Sequence, residues 1–124
     1  MLNNKKIILS LVISLFIGVV HAEKKPDEAY QKELDRITAL DVTEQVQKDV
    51  EEKRFQLYVY SNRGGTQMPG IDLEVRRRFT SLCEKVVMQD YGDVVYSQVH
   101  LKYMAAYFDY AYEYNKQMER FCIN

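Results

Sequence analysis

Few residues of the types that enzymes use for catalysis occur here at spacings that predict an active site. The chain has two histidines, and His100 is the one that lies beyond the first 22 residues. A zinc site or a histidine-dependent triad needs further partners, and neither an HExxH nor a Cys-x-x-Cys-His motif is present. Cys83 and Cys122 are 39 positions apart, which excludes the Cys-x-x-Cys motif of thiol redox enzymes. We therefore predict no catalytic residue, no metal site and no cofactor.

The charged residues also have simpler explanations than chemistry. Asp90 and Asp93 flank Gly92, where helix capping accounts for both carboxylates. The run Arg76–Arg78 could bind an anionic surface, but a solvated, ion-paired helix face is the favoured interpretation because three acidic residues lie within about two turns. Those residues are Asp72, Glu74 and Glu84. The stretch from Asp49 to Glu52 is interpreted as a polar helix face.

A stripe of aromatic residues in the C-terminal third is the strongest candidate for a functional surface. Its members recur at steps of three and four and therefore share one face of a helix. They are Tyr96, His100, Tyr103, Tyr107, Tyr110 and Tyr114. Tyrosine combines a large rigid surface with a polar tip and is enriched at protein interfaces. The stripe predicts a partner-binding surface, although a half-buried helix edge with its hydroxyls in water would produce the same pattern.

The N-terminal segment has the features of a secretory signal peptide. Two lysines, Lys5 and Lys6, precede a charge-free apolar run of about 14 residues, and Val20-His21-Ala22 matches a cleavage site. We expect residues 1–22 to be removed and residues 23–124 to form a single mature helical domain with no stable membrane anchor. This predicts a periplasmic or secreted protein in an oxidising compartment, where Cys83 and Cys122 form a disulfide.

Overall composition excludes several classes of protein. A formal net charge of -1 argues against a protein that binds nucleic acid by neutralising phosphates. A hydrophobic content of 47% is too high for a disordered chain. Two cysteines are too few for a disulfide-knitted miniprotein or a four-thiolate zinc site.

Hydrophobic periodicity predicts helices along most of the mature chain. A first helix starts at Pro26 and Asp27, breaks near Leu40, and is followed by a second helix for which Asp41 and Glu44 could form a capping box. The glycine-rich segment 61–70 is predicted to be a loop that joins two halves of the domain.

The second half is predicted to contain a third helix from Ile71 to about Gln89 and one long C-terminal helix from Asp93 to Cys122. The fold class predicted is all-α: a small bundle of three to four helices with one disulfide. The long C-terminal helix is either continuous or broken. Short strands near residues 55–60 and 94–99 are an alternative for those segments, because both are rich in β-branched and aromatic residues.

The disulfide tests this arrangement. A straight helix from Asp93 to Cys122 is about 43 Å long, whereas the Cα atoms of a disulfide lie within about 7 Å of each other. Either the last helix breaks within residues 109–115, or residues 84–97 are partly extended, or the bridge joins two molecules. We favour a break or fold-back within one molecule.

Size, export and missing catalytic motifs together predict a non-enzymatic protein-binding module of the inhibitor or immunity type, whose partner is another protein. The alternative is a periplasmic chaperone or assembly factor for an envelope system. A small enzyme that uses carboxylates and His100 is the least favoured interpretation. A homodimer is left open.

Overall fold

A computed structural model describes residues 24–123 of the chain. These residues form helices and strands in a mixed order, and a long C-terminal helix lies against most of the other elements. In chain order the elements are α1 (Asp27–Thr38), α2 (Val42–Glu51), β1 (Gln56–Asn62), β2 (Gly65–Gln67), α3 (Leu73–Arg76), β3 (Glu84–Val87), α4 (Gln98–Met118) and a closing 3-10 turn (Glu119–Phe121).

The all-α prediction is wrong, because three strands form a mixed sheet in the order β2-β1-β3. Strand β1 pairs antiparallel with β2, and Tyr60 lies opposite Gln67. On its other side β1 pairs parallel with β3, and Tyr58 lies opposite Val86. The strand predicted near residues 55–60 is therefore confirmed as β1. The one near residues 94–99 is wrong, since residues 94–97 contain no strand and α4 begins at Gln98.

The predicted break between the first two helices is confirmed. Helix α1 ends at Thr38, and the Asp41 carboxylate accepts a hydrogen bond from the Glu44 backbone N–H at 3.1 Å at the start of α2. Proline before α1 and carboxylates in its first turn favour a helix start, because the first N–H groups have no partner within the helix. The loop predicted at 61–70 is in part a β-hairpin, whose turn uses Gly65 at a φ of 101°.

The predicted third helix is wrong beyond its first turn. Helix α3 ends at Arg76, and Glu84–Val87 is the parallel strand β3 instead. The apolar spacing from Ile71 to Val86 is helical by coincidence, since Leu82 is 62% exposed. Pairing with β1 and the disulfide at Cys83 decide the conformation of this segment, and long-range contacts of this kind override local propensity.

The predicted disulfide is present within one chain, and the Cα atoms of Cys83 and Cys122 lie 5.4 Å apart. The favoured break in the last helix is wrong, because α4 is continuous through residues 109–115. The extended alternative is the correct one: after Cys83 the chain forms β3, which runs parallel to β1, and α4 starts only at Gln98. Its cap is Ser97, whose hydroxyl accepts from the His100 backbone N–H, rather than Asp93.

Helix α4 is the centre of the molecule. It packs against α1, α2 and β1, so a wide arc of its surface is covered. The loop after β2 lies close to its C-terminal half, where a Cβ atom on Gly70 would lie 2.7 Å from the Tyr112 carbonyl oxygen. Gly70 also has a φ of 77°, so this close approach requires glycine. Between Lys24 and Ile123 no helix has the length and apolar content that a membrane span requires.

Candidate functional site

The aromatic face of α4 points mainly into the protein. His100, Tyr103, Tyr110 and Tyr114 are between 0% and 8% exposed, whereas Tyr96 and Tyr107 are half-buried. The packing partners come from α1 and β1: Tyr30 stacks on the His100 ring at 4.3 Å between centroids. In this arrangement a partner could reach only the half-buried members of the stripe.

His100 is held by its surroundings in a single orientation. The Tyr96 backbone N–H donates to Nδ1 at 3.1 Å, and Nε2 lies 2.9 Å from the Asp90 carbonyl oxygen. This pattern assigns the ring proton to Nε2, which donates to that carbonyl. The Asp90 carboxylate in turn forms an ion pair with Lys25, and this contact raises the pKa of the lysine above its ordinary value. His100 therefore links the segment before α4 to the helix, and the Asp90–Lys25 ion pair links that segment to the chain before α1.

Asn115 takes the place of a missing strand beside β1. Its side-chain oxygen accepts from the Tyr58 N–H at 2.8 Å, and its amide nitrogen donates to the Tyr58 carbonyl at 2.9 Å and to the Pro69 carbonyl at 2.8 Å. Strand β2 pairs only with Tyr60–Asn62, so it does not reach Tyr58. The amide supplies the donor and acceptor that a neighbouring strand would supply. This contact fixes the position of Tyr58 relative to α4.

A buried carboxylate lies on the other side of Tyr58. Asp49 on α2 is 1% exposed, and the Tyr114 hydroxyl donates to its Oδ2 at 2.6 Å. The Gln45 amide donates to Oδ1 at 3.0 Å, and the Arg54 guanidinium lies 4.0 Å away. The interpretation of the stretch from Asp49 to Glu52 as a polar helix face is wrong for Asp49, which is buried and whose carboxylate is held by these contacts.

These groups surround an open concavity of about 240 Å³ between α1, α2, β1 and α4, which we call the polar recess. Arginines stand at its rim, a carboxylate lies in its wall, and tyrosine rings with their hydroxyls complete the lining. The lining residues that bear on function are Arg36, Asp49, Arg54, Tyr58, Tyr107 and Tyr110. Both arginine side chains are more than half exposed, so the recess is accessible from outside. It can offer guanidinium, phenol and amide groups to a ligand.

Burial raises the pKa of the tyrosines in and around the recess. The pKa of Tyr107 rises to about 12, through burial and the neighbouring Tyr58, and burial also raises the pKa of Tyr58, Tyr103 and Tyr114. The buried Asp49 carboxylate adds to the rise at Tyr114, to which it is hydrogen-bonded.

These shifts predict a loss of stability in alkali. A pKa that is higher in the folded state than the ordinary value of 10.0 means that the unfolded chain binds fewer protons above that pH. The stability from these hydroxyls is therefore complete below pH 10 and falls as the pH rises toward about 12 and beyond. Melting temperatures recorded across this range should decline, and Tyr107→Phe should make the decline shallower. Tyr112→Phe, at an exposed position, is the control; a flat profile would contradict the prediction.

The arginine run lies apart from the recess. Among residues 24–123 no ion pair within 4.0 Å involves Arg76–Arg78, so the ion-paired face is not formed. Arg76 instead donates to the Thr66 carbonyl of β2 at 2.6 Å. Tyr60 and Asn62 lie opposite Gln67 and Gly65, on the inner edge of β2, so the Thr66 carbonyl between these two residues lies on the outer edge of the strand. Arg76 therefore covers part of an edge that could otherwise pair with another strand.

Sequence reasoning missed Arg36, Asp49, Arg54 and Tyr58 as recess residues. A usable signal existed for Asp49, because it falls between Val46 and Val50 on the apolar side of α2. A carboxylate within an apolar stripe indicates a buried partner. The arginines carry no such signal, since their position depends on how α1 and α2 pack onto α4. Within the described part of the chain no group of three or more His, Cys, Asp or Glu side chains could hold a metal ion.

No protein-family model, characterised protein or solved structure matches this chain.

Proposed function

We propose that the protein is an exported protein-binding module of the inhibitor or immunity type, without catalytic activity of its own. It acts after removal of residues 1–22, in the periplasm or outside the cell. The buried Cys83–Cys122 disulfide supports the export part of the proposal, because such bridges persist in oxidising compartments.

The observation that supports protein binding is the polar recess. Its tyrosine hydroxyls and guanidinium groups are attached to a scaffold in which Tyr58 and Asp49 are fixed by interior hydrogen bonds. Recognition by a rigid, pre-organised surface loses little conformational entropy on binding. Tyrosine and arginine are also the residues most enriched where binding energy concentrates in protein interfaces.

Leu40 extends this surface. It lines the polar recess and also a shallower concavity beside it, where Ile37, Val42 and Ala106 provide an apolar floor. Leu40 is 37% exposed, so it can contribute an apolar contact between two depressions. A partner would contact the loop between α1 and α2 together with the recess.

The test is a matched pair of variants used to capture a partner from the envelope fraction. We expect wild type to retain one protein at near-equal stoichiometry, and Leu40→Asp to weaken its binding by about tenfold or more. Leu101→Asp is the control, since Leu101 is 46% exposed on α4 and does not line the recess. Retention by Leu40→Asp equal to that by Leu101→Asp would show that this surface is not the binding site.

A chaperone or assembly factor is the second candidate, and exposed aliphatic side chains favour it. Leu73, Leu82, Val87, Val94, Val95 and Leu101 are each at least 46% exposed. A protein that holds unfolded clients uses apolar surface of this kind permissively. It should suppress the aggregation of unrelated proteins, and Leu101→Asp rather than Leu40→Asp should reduce that effect.

A further inference from the structure

We propose that the polar recess is a carboxylate-binding site, and that its occupant is an acidic side chain of the partner protein. The protein source of the carboxylate rests on the function proposed above. The preference of the recess for a carboxylate rests on its own lining and can be tested separately.

Two guanidinium groups reach the recess from different elements. Arg36 comes from α1, and Arg54 comes from the segment between α2 and β1. Arginine presents a planar array of N–H donors that matches the two oxygens of a carboxylate. A ligand held between them would meet donors from both sides.

Each arginine already binds a carboxylate in the free protein. Arg36 lies 2.9 Å from Glu33, and Arg54 lies 3.3 Å from Glu52. The four side chains are between 36% and 61% exposed, and ion pairs with this exposure contribute little to stability. An incoming carboxylate can therefore replace either glutamate with little loss, and it would occupy a more enclosed position.

Tyrosine hydroxyls add donors inside the recess. The Tyr107 hydroxyl accepts a hydrogen bond from the Gln89 backbone and the Tyr110 hydroxyl accepts one from Tyr58, so the proton of each hydroxyl can be donated to a ligand. Both residues line the recess. A tyrosine hydroxyl is ordinarily protonated at neutral pH, and burial raises the pKa of both residues further. A carboxylate in the recess can accept from them.

The negative charge in the wall does not favour a cation. Both Asp49 oxygens already accept hydrogen bonds, from Gln45 and Tyr114, and the residue is 1% exposed. Among the charged residues that line the recess, two guanidinium groups, those of Arg36 and Arg54, stand against the single carboxylate of Asp49. The formal charge of the lining is therefore positive and favours an anion.

The first experiment uses a pair of small probes of equal chain length and opposite charge. Glutarate and cadaverine are titrated into isotope-labelled protein, and the side-chain N–H resonances of arginine are followed by NMR. We expect saturable shifts at Arg36 and Arg54 with glutarate, at millimolar concentrations, and none with cadaverine. Stronger binding of cadaverine, or no saturable shift with glutarate, would overturn the proposal.

A matched pair of double variants distinguishes the arginines of the recess from arginines elsewhere on the surface. Arg36→Gln combined with Arg54→Gln should weaken glutarate binding by about tenfold or more. Arg77→Gln combined with Arg78→Gln removes the same charge from exposed positions outside the recess and should leave binding unchanged. Equal losses in the two double variants would show nonspecific attraction and overturn the site. Melting curves confirm that each variant is folded.

The second experiment tests the source of the carboxylate. Glutarate, but not cadaverine, should release the captured partner from immobilised protein. If a partner is captured and glutarate neither binds nor releases it, the carboxylate site is wrong while the binding function stands. If glutarate binds the recess and no protein is retained through it, the protein source is wrong and the carboxylate preference stands.

Discussion

Replacing Asn115 by leucine should lower the free energy of unfolding by about 4 kcal/mol, because three backbone groups, each at least partly buried, lose their partner. The three are the N–H and the carbonyl of Tyr58 and the carbonyl of Pro69. Leucine has the branching of asparagine but is bulkier, so at this fully buried position it leaves no cavity, and the loss combines the missing hydrogen bonds with some overpacking. Since small domains are stable by only about 5–15 kcal/mol, the variant should be largely unfolded at moderate urea concentrations.

Two further variants test whether the lost hydrogen bonds cause the destabilisation of Asn115→Leu. Gln117→Leu removes another amide of α4, two residues further on, which bonds to the exposed Thr43, so it should change stability by less than about 1 kcal/mol. Asn115→Asp keeps one acceptor and loses both donors; we expect it to be destabilised at neutral pH and partly recovered in acid, where a protonated carboxyl can donate. An Asn115→Leu variant as stable as Gln117→Leu would disprove the role of this amide in completing β1.

The elements that could be predicted from the sequence are those that local signals define. Helix α2 has its capping carboxylate at Asp41, and α4 has an apolar and an aromatic stripe maintained over several turns. Strand β1 alternates apolar and polar residues from Phe55 onward, which indicates a strand, although the all-α prediction gave this strand only as an alternative to helix. In each case the information lies within a few residues of the element itself.

Strand β3 and the short α3 could not be predicted in this way. Their segment has helical spacing, and what overrides it is pairing with β1, some 30 residues earlier. The backbone contact from the Thr80 N–H to the Cys122 carbonyl holds the same segment from the other side. Neither contact leaves a trace in local periodicity, so the disulfide was the one long-range constraint readable from the sequence.

Burial of the aromatic stripe also could not be predicted from the spacing of its residues. A helix face of tyrosines can lie at the surface or under other elements, because the ring is apolar and the hydroxyl is polar. Here α1 supplies Tyr30 against Tyr103, and β1 supplies Tyr58 against Tyr110 and Tyr114. Of the stripe, Tyr107 and Tyr110 line the polar recess, and the surface proposed for binding moves to its rim, near Leu40 and Arg54.

Removal of the disulfide should have an effect of similar size to loss of the Asn115 amide. The Cys83–Cys122 bridge closes a loop of 39 residues, for which chain entropy predicts a contribution of about 4 kcal/mol. It joins the start of β3 to the end of the chain, next to the isolated bridge between Phe79 and Ile123. We expect the Cys83→Ala, Cys122→Ala double variant to fold with a melting temperature lower by roughly 20 °C.

Urea unfolding with and without a reducing agent measures this effect, and the double variant serves as its own control because reductant should not change its curve. The two cysteines are 4% and 0% exposed, so wild type should resist reduction while folded and lose the bridge only when urea opens the structure. Hydrogen exchange should accelerate most at the Thr80 N–H, whose bond to the carbonyl of residue 122 then has no covalent support. A double variant within about 1 kcal/mol of wild type would show that the native contacts around the bridge fix this segment without it.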